Sequence, residues 1–285
     1  MNYFSNQSLS ASIVTFQNKA ESLKATIESA LNSKVLNKLF VIDNSPTNSL
    51  ECLFRVTYTD PRIEYIFNGK NLGFGKAHNI AMQGSIESGF KYHVVLNPDV
   101  YFEENILSKI VEFMDSKLNV GQVMPKILYP NGEVQYLCKL LPSPVDLFLR
   151  RFMSGSKLAK KRNELYELRF SGYNKTMNIP YLSGCFMFFR NNALQELGLF
   201  DENIFMYIED CDITRRIHKK YQTLFWPEAI VHHHYAKGSY KNWRLMLYNL
   251  HGAFVYFNKY GWFSDSERDK INQRVLEELG FNSNI

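Results

Sequence analysis

The stretch YHVVLNPDV, residues 92–100, sets an apolar run against an abrupt polar stop. Val94, Val95 and Leu96 read as a short buried strand, and Pro98, which has no N–H to give a ladder, ends it. Asp99 then stands at the mouth of a core with no reason to be buried. An acidic residue in that position is either part of a turn built on proline or a ligand for something positive. The residues on either side of the stretch bear on which.

Upstream, β-rich runs alternate with helical patterns. ASIVTF (11–16) is followed by NKAESLKATIESALNS (18–33), whose Leu23, Ile27, Ala30 and Leu31 recur at helical spacing. KLFVIDNS (38–45) and RIEYIFN (62–68) are further strands, and NLGFGKAHNIAMQGSIES (71–88) is a glycine turn leading into a helix. Strands alternating with helices predict an α/β fold, a mostly parallel sheet with helices on both faces. Ligands of such sheets bind outside the carboxyl ends of the strands. Polar residues recur at those ends: Thr15, Asp43 with Asn44, and Asn97 to Asp99.

Downstream, ILSKIVEFMDSK (106–117) reads as a helix and GQVMPKILYPNGEVQY (121–136) as a hairpin with an Asn-Gly turn. Residues 139–178 form a basic, aromatic insert, expected to be mobile and to hold a helix or two. From Lys139 to Lys175 it has nine Lys/Arg against three acids. Residues 179–221 return to strand, helix, loop and helix. TLFWPEAIVHHHYAKGS (223–239) is a strand with a polar exit, and the chain from residue 241 is helical. Residues 1–240 read as one domain containing the insert, with 241–285 as a C-terminal helical extension.

Composition narrows the classes. A net charge of +5 is too mild to imply nucleic acid. The four cysteines show no paired spacing, which fits free thiols in a reducing cytoplasm. The opening residues lack the pattern of a secretory signal. No apolar run has the length of a bilayer span, so the expectation is a soluble protein or one bound to a membrane surface.

Five constellations could carry chemistry. Asp43 is either an Asx turn beside Pro46 or a carboxylate accepting from a pyrimidine N–H. Gly73 and Gly75 bracket Phe74 where a helix begins, letting backbone approach a phosphate. Asp99 fits a hard divalent cation that shares its shell with substrate phosphates. Glu209, Asp210 and Asp212 follow the apolar Phe205–Ile208, where desolvation can raise a carboxylate toward a working pKa. Arg216 lies six residues beyond Asp210. Of the three histidines 232–234, the alternation of a strand puts His232 and His234 on one face and His233 on the other.

Taken together and in order, SIVTF, LFVIDNS, NLGFGKAHNIA, VVLNPDV, YLSGCFMFFRNNALQELGLFDENIFMYIEDCDITRRI and PEAIVHHHYAKGS resemble family 2 glycosyltransferases. Within them they look like the rhamnosyltransferase-like branch of bacterial O-antigen and capsular polysaccharide assembly. The resemblance covers roughly residues 10–240, and its most specific part is LNPDV combined with FDENIFMYIEDCDITRRI. It implies a GT-A fold and inverting transfer of a sugar from a nucleoside diphosphate to an acceptor hydroxyl. Carried over by position, Thr15, Phe16, Asp43, Asn71, Gly73, Phe74, Gly75, Asn79 and Asn97 would hold the nucleotide sugar. Asp99 would be the last acid of a D-x-D metal motif whose first place is taken by Asn97, with His233 as a further ligand of Mg²⁺ or Mn²⁺. Asp210 would be the catalytic base, Glu209 its supporting acid, and Arg216 or Lys76 a partner of the diphosphate.

The resemblance suggests dTDP-L-rhamnose as donor, with UDP-hexoses the alternative, and a lipid-linked saccharide as acceptor. Basic and aromatic residues in 139–178 and 241–263, including Leu147, Phe148, Leu149, Arg150, Arg151, Phe152, Trp243 and Trp262, fit an anionic membrane surface. The expected location is cytoplasmic, peripheral on the inner face of the cell membrane. A sugar nucleotidyltransferase would open with a glycine- and arginine-rich phosphate loop, which SIVTFQNKAESL is not. A non-catalytic relative would have no need of Asp99, Glu209 and Asp210.

Overall fold

The computed structural model describes residues 8–152, 156–234 and 243–281; of residues 149–152, 158 and 159 it describes the backbone alone. Four parallel strands come first: β1 (Leu9–Thr15), β2 (Leu36–Asp43), β3 (Ile63–Phe67) and β4 (Tyr92–Leu96). Helices α1 (Ala20–Asn32) and α2 (Phe74–Glu87) connect them. Next come β5 (Val100–Tyr101), α3 (Ile106–Asp115), β6 (Val120–Leu128), β7 (Cys138–Lys139), α4 (Pro144–Phe152) and α5 (Lys157–Tyr166). They are followed by β8 (Met177–Asn178), β9 (Tyr181–Leu182), β10 (Phe186–Arg190), α6 (Asn191–Leu197), α7 (Glu209–His218) and β11 (Gln222–His233). The central sheet runs β3-β2-β1-β4-β10-β6-β11-β5, with β8 also paired to β11. β10 is antiparallel to both its neighbours, β6 and β11 are parallel to each other, and β5 runs back along β11. The sheet is the mostly parallel one expected.

The apolar runs are continuous because both faces of the sheet are covered. Along β4, Tyr92, Val94 and Leu96 enter the core beneath α1 and α3, while Val95 enters the core beneath α2, α6 and α7. β10 alternates in step: Phe186 and Phe188 face the first core, Met187 and Phe189 the second. A buried polar ladder crosses the sheet next to them. Ser10 Oγ lies 2.7 Å from His93 Nδ1, and Ser12 Oγ is 2.8 Å from both His93 Nε2 and His78 Nδ1. Burial drives the His93 pKa down to about 3 and that of His78 well below the usual imidazole value, so both are neutral.

The 121–136 stretch differs from its expected hairpin. Its Asn-Gly turn forms, with Tyr129 N–H donating to Glu133 O at 2.7 Å, but the returning arm makes only one bridge, Leu128–Val134. β6 finds its partners in β10 and β11 instead, because its buried residues belong to the centre of the sheet. The insert is built on a two-stranded ribbon of β7 and β9 outside the main sheet. Buried Tyr173 anchors it, accepting from Cys138 N–H at 2.9 Å and donating to Glu167 O at 2.8 Å.

The extension contains α8 (Trp243–Tyr260) and α9 (Ser266–Glu278) and packs onto α7. Buried Arg215 of α7 bonds Asp265 at 2.7 and 2.8 Å and lies 3.9 Å from the centre of the Tyr260 ring. Among the described residues no helix is long and apolar enough to cross a membrane.

Candidate active site

Strand register creates the first station. β5 pairs with the end of β11 so that Val100 faces His233 and Tyr101 faces His232. The turn Asn97–Asp99 is thereby held against a histidine far away in sequence. Asp99 Oδ1 lies 3.2 Å from His233 Nε2, yet this buried oxygen has no aligned hydrogen-bond donor. Asn97 Nδ2 stands 3.5 Å from the same ring nitrogen. On the other side His233 Nδ1 lies 2.9 Å from Gln135 Oε1, which orients the ring and turns Nε2 toward Asp99. His232 and His234 lie against Tyr101 instead, with ring centres 5.0 and 5.2 Å away.

This pocket favours positive charge. Burial alone would lower the pKa of His233, but the Cys185 sulfur and Asp99 outweigh it and bring the imidazole up to about 10. A divalent cation could take the place of that proton. Asp99, with its unsatisfied oxygen, and His233 fit such a cation as a partial shell. Among the described residues no group of three or more acidic, histidine or cysteine side chains forms a full one. A site of this kind completes its coordination with substrate oxygens.

A strained turn creates the second station. Tyr207 (φ 71°) and Ile208 (φ 68°) are both left-handed, a backbone region that L-residues, and β-branched ones above all, rarely enter. α7 starts on the next residue, and its three acids go to different places. Asp212 is buried and spent on structure, receiving Arg216 Nε at 2.9 Å and Tyr260 OH at 2.8 Å. Glu209 is buried with Oε2 unbonded; burial first, and the charge of Asp210 second, raise its pKa well above the usual carboxylate range. Asp210 points into a cavity, where it accepts from Gly184 N–H and Cys211 N–H, both at 2.9 Å. Desolvation in the cleft raises its pKa, offset in part by Lys139, these two N–H groups and Tyr181. Both carboxyls are thus harder to ionise than in water, and the charge on Asp210 is the one that Lys139, Tyr181 and two N–H groups favour.

Gly184 and Cys185 join the stations. Gly184 N–H binds Asp210, while Asn97 N–H donates to the Cys185 carbonyl at 2.9 Å. A Cβ on Gly184 would lie 3.3 Å from that of Asp210, so a side chain there would crowd the acid. Asn97, Cys185, His233, Glu209 and Asp210 line one cavity of about 1320 Å³, whose far wall includes Lys139, Tyr166 and Arg169 from the insert. Sequence reasoning singled out neither Gly184, Cys185, Gln135 nor Tyr181. The SGC triplet carries no local signal of its own, and Gln135 lies in the expected hairpin arm.

Other expected residues lie elsewhere. Phe74 lines the cavity; Asn71, Gly73 and Gly75 do not. Gly73 (φ 87°) is pressed against the segment leading to the acids, where a Cβ would meet Phe205 O at 2.3 Å, and Phe74 N–H donates to that oxygen. A Cβ on Gly75 would meet Phe200 Cβ at 2.7 Å. Both glycines allow close packing of the chain on the Phe200–Phe205 segment. Asn71 Oδ1 accepts from Gly73 N–H at 2.9 Å. Asn79 clamps the Phe200 backbone, donating to its O at 2.9 Å and accepting from its N–H at 3.0 Å.

Asp43 is fully buried, accepting from Ser45 N–H at 2.8 Å and Tyr65 OH at 2.7 Å, which is the Asx-turn reading. Beside it Thr15 Oγ1 is buried and unbonded, and Phe16 is exposed. Arg216 does not line the cavity: besides Asp212, its guanidinium binds the carbonyls of Leu197, Gly198 and Leu199. Lys76 pairs with Glu202 at 2.8 Å. The cation whose charge bears on Asp210 is Lys139. The YAKGS end of the histidine motif lies outside the described residues.

Comparison with known proteins bears on the family and the fold. The sequence model described as "Glycosyl transferase family 2" matches residues 11–198, which takes in Asp99 and Gly184 and stops short of Asp210 and His233. The N-acetylglucosaminyl-diphospho-decaprenol L-rhamnosyltransferase of Mycobacterium tuberculosis (strain CDC 1551 / Oshkosh) is 26% identical over 186 residues. That alignment covers 62% of this chain and 60% of the relative, so the chain spans about 60% of its length. Rhamnosyltransferase WbbL of Escherichia coli (strain K12) is 24% identical over 218 residues, 74% of this chain and 79% of that protein. Among solved structures, the mannosyltransferase PcManGT from Pyrobaculum calidifontis, in complex with GDP-Man and Mn²⁺, superposes with a TM-score of 0.60. It is 16% identical, with 95% of this chain and 69% of that one covered, a likeness of fold. The sheet is that of the GT-A glycosyltransferases, and the chain belongs to glycosyl transferase family 2.

Proposed function

We propose that the protein is an inverting glycosyltransferase that moves L-rhamnose from dTDP-rhamnose to a hydroxyl of a lipid-linked saccharide in cell-surface polysaccharide synthesis. The observation that carries the reading is the single cavity shared by His233, which touches Asp99, and Asp210. Asp210, ionised, takes the proton of the acceptor hydroxyl as its oxygen attacks the anomeric carbon. The bond from that carbon to the diphosphate breaks on the opposite face, its electron pair leaves with the phosphate oxygen, and the centre inverts. Positioned base catalysis of this kind contributes on the order of 10²–10⁴-fold. A divalent cation held by Asp99 and His233 would neutralise charge on the departing diphosphate. Gly184 N–H and Cys211 N–H aim the Asp210 carboxylate, and the adjacent Glu209 is buried and harder to ionise than an ordinary carboxyl.

The rhamnosyl donor and lipid-linked acceptor rest on the names of the two sequence relatives. Peripheral attachment to the cytoplasmic face of the membrane is supported by the cavity rim. α8 exposes Trp243, Leu247, Leu250 and Phe254, four positions along one helical side, and α4 exposes Val145 and Phe148. The same helices contribute Asn249 and Leu147 to the cavity, and no acid occurs from Ala229 to Ser264. A lipid-borne acceptor would reach Asp210 from a surface of this kind. The side chains of Arg150 and Arg151, expected to contribute, lie outside the described residues.

A panel of dTDP-rhamnose and UDP-hexoses, with a lipid-linked acceptor and Mn²⁺ or Mg²⁺, tests the proposal. Turnover of dTDP-rhamnose to a product of opposite anomeric configuration, read by NMR, is expected. Retention of configuration would remove the single-displacement mechanism, and turnover of UDP-hexoses alone would remove the donor.

A further inference from the structure

The left-handed backbone at Tyr207 and Ile208 is unfavourable in a free chain and survives only where its surroundings impose it. Helix α8 is what lies against it. Gly252, buried in the interior of that helix, faces the turn so closely that a Cβ would stand 2.6 Å from Tyr207 O. The same Cβ would be 3.3 Å from both Met206 O and Ile208 Cγ2. The backbone of Gly252 is ordinary helix, so its conformational freedom is unused. A helical glycine is intrinsically worse than alanine; what this one provides is the missing side chain.

Contacts on either side extend the grip. One turn earlier, the Tyr248 ring packs on Phe205 with centres 4.4 Å apart. One and two turns later, Tyr256 OH accepts from Arg215 Nη1 at 3.0 Å and Tyr260 OH donates to Asp212 at 2.8 Å. α8 therefore follows the acid segment from Phe205 to Arg215, and Asn249, three residues before Gly252, reaches the cavity itself.

We propose that Gly252 is a positioning residue: by letting α8 seat directly on the carbonyls of Met206 and Tyr207, it holds the left-handed turn that aims Asp210 into the cavity. The C-terminal helix is then part of the catalytic apparatus. The proposal rests on the reading of Asp210 as the base.

The test is Gly252→Ala in the full chain, assayed for sugar transfer. A displacement of the turn by even part of an ångström should lower kcat about tenfold or more, with KM for the nucleotide sugar within about twofold. The acidic limb of the pH–rate profile should move as well, because Glu209, Lys139 of β7, Tyr181 of β9 and Gly184 N–H would no longer face Asp210 as before. Thermal stabilisation by a nucleoside diphosphate should be retained. Tyr248→Leu, which trims the contact with Phe205 and adds no bulk, serves if the alanine variant fails to fold; a smaller loss of kcat, again without a change in KM, is expected. The proposal is overturned if the folded variants keep wild-type kcat and pH profile, or if kcat falls only in proportion to the folded fraction. Asp210→Asn, assayed alongside, separates the two ideas: its full activity would remove the base itself, whereas its inactivity beside a normal Gly252→Ala would remove only the role of Gly252.

Discussion

The two stations, the first of which reaches the cavity through Asn97 and His233, are built by opposite means. Asp99 and His233 meet because two strand ends pair, Val100 with His233, on backbone in its ordinary conformation. Glu209 and Asp210 are delivered by two left-handed residues and held from outside by a helix some forty positions later. A station made by sheet register is fixed as soon as the sheet forms. One made by a strained turn depends on its neighbours and pays a local cost for its aim. The account therefore expects the first station to be robust in geometry and sensitive to charge, and the second to be sensitive to both.

Apart from loss of the base itself, removing charge from the first station has the largest expected effect. Asp99→Ala should lower kcat/KM about 100-fold or more, with part of the loss recovered at high Mn²⁺. Metal titrations of activity check it, and an unchanged metal response would take Asp99 out of the station. Disturbing the loop beneath the second station comes next. Gly73→Ala introduces a Cβ 2.3 Å from Phe205 O at a φ of 87°. It should cost about 1–3 kcal/mol of stability, read from the urea midpoint. A wild-type midpoint would mean that the 205–208 segment yields freely.

The ladder under the first station gives a pH signature. His93 titrates near pH 3 in the folded protein against an ordinary value of 6.5, so folding excludes its proton. The stability it contributes is present above pH 6.5 and is lost as pH falls toward 3, by up to about 1.4 kcal/mol per unit. His78 and His218 shift the same way, while Glu209, whose pKa is raised, opposes them. His233, raised to about 10, gives its full contribution below pH 6.5 and loses it as pH rises through 10, so it does not distort the window from 6.5 to 5. His93→Gln should flatten the fall in urea midpoint across that window, and an unaltered slope would contradict the ladder. The smallest effect is expected from Glu209→Gln. Because burial and Asp210 disfavour charge on Glu209, the amide imitates its neutral form, and transfer should fall only about threefold, whereas a loss near that of a catalytic acid would show that its charge is used.

The contrast also explains what the sequence disclosed. The parallel half of the sheet was legible because continuous apolar runs, helical spacing and polar strand ends are local signals. Alternation put His233 on a different face from His232 and His234, but that it meets Asp99 follows from the pairing of β5 with β11. The acidic cluster was visible, but its division into a cavity-facing Asp210, a buried Glu209 and a structural Asp212 was not, since that follows from the turn at Tyr207 and Ile208. The same blindness affected the cations. Arg216 is near Asp210 in sequence but spends its guanidinium on three carbonyls of the 197–199 loop. Lys139, distant in sequence, is brought in by a two-stranded ribbon. Gly73 and Gly75 carry a real signal of close approach, but what approaches is the chain itself.

In the proposed mechanism one cavity grips a cation-bound diphosphate at one end and deprotonates an alcohol at the other. Asp210→Asn measures it most directly, with sugar transfer and nucleotide-sugar binding followed on the same preparation. The account predicts transfer reduced by about 10²–10⁴-fold with binding unchanged in the presence of Mn²⁺. Undiminished transfer, or binding lost together with activity, would contradict it.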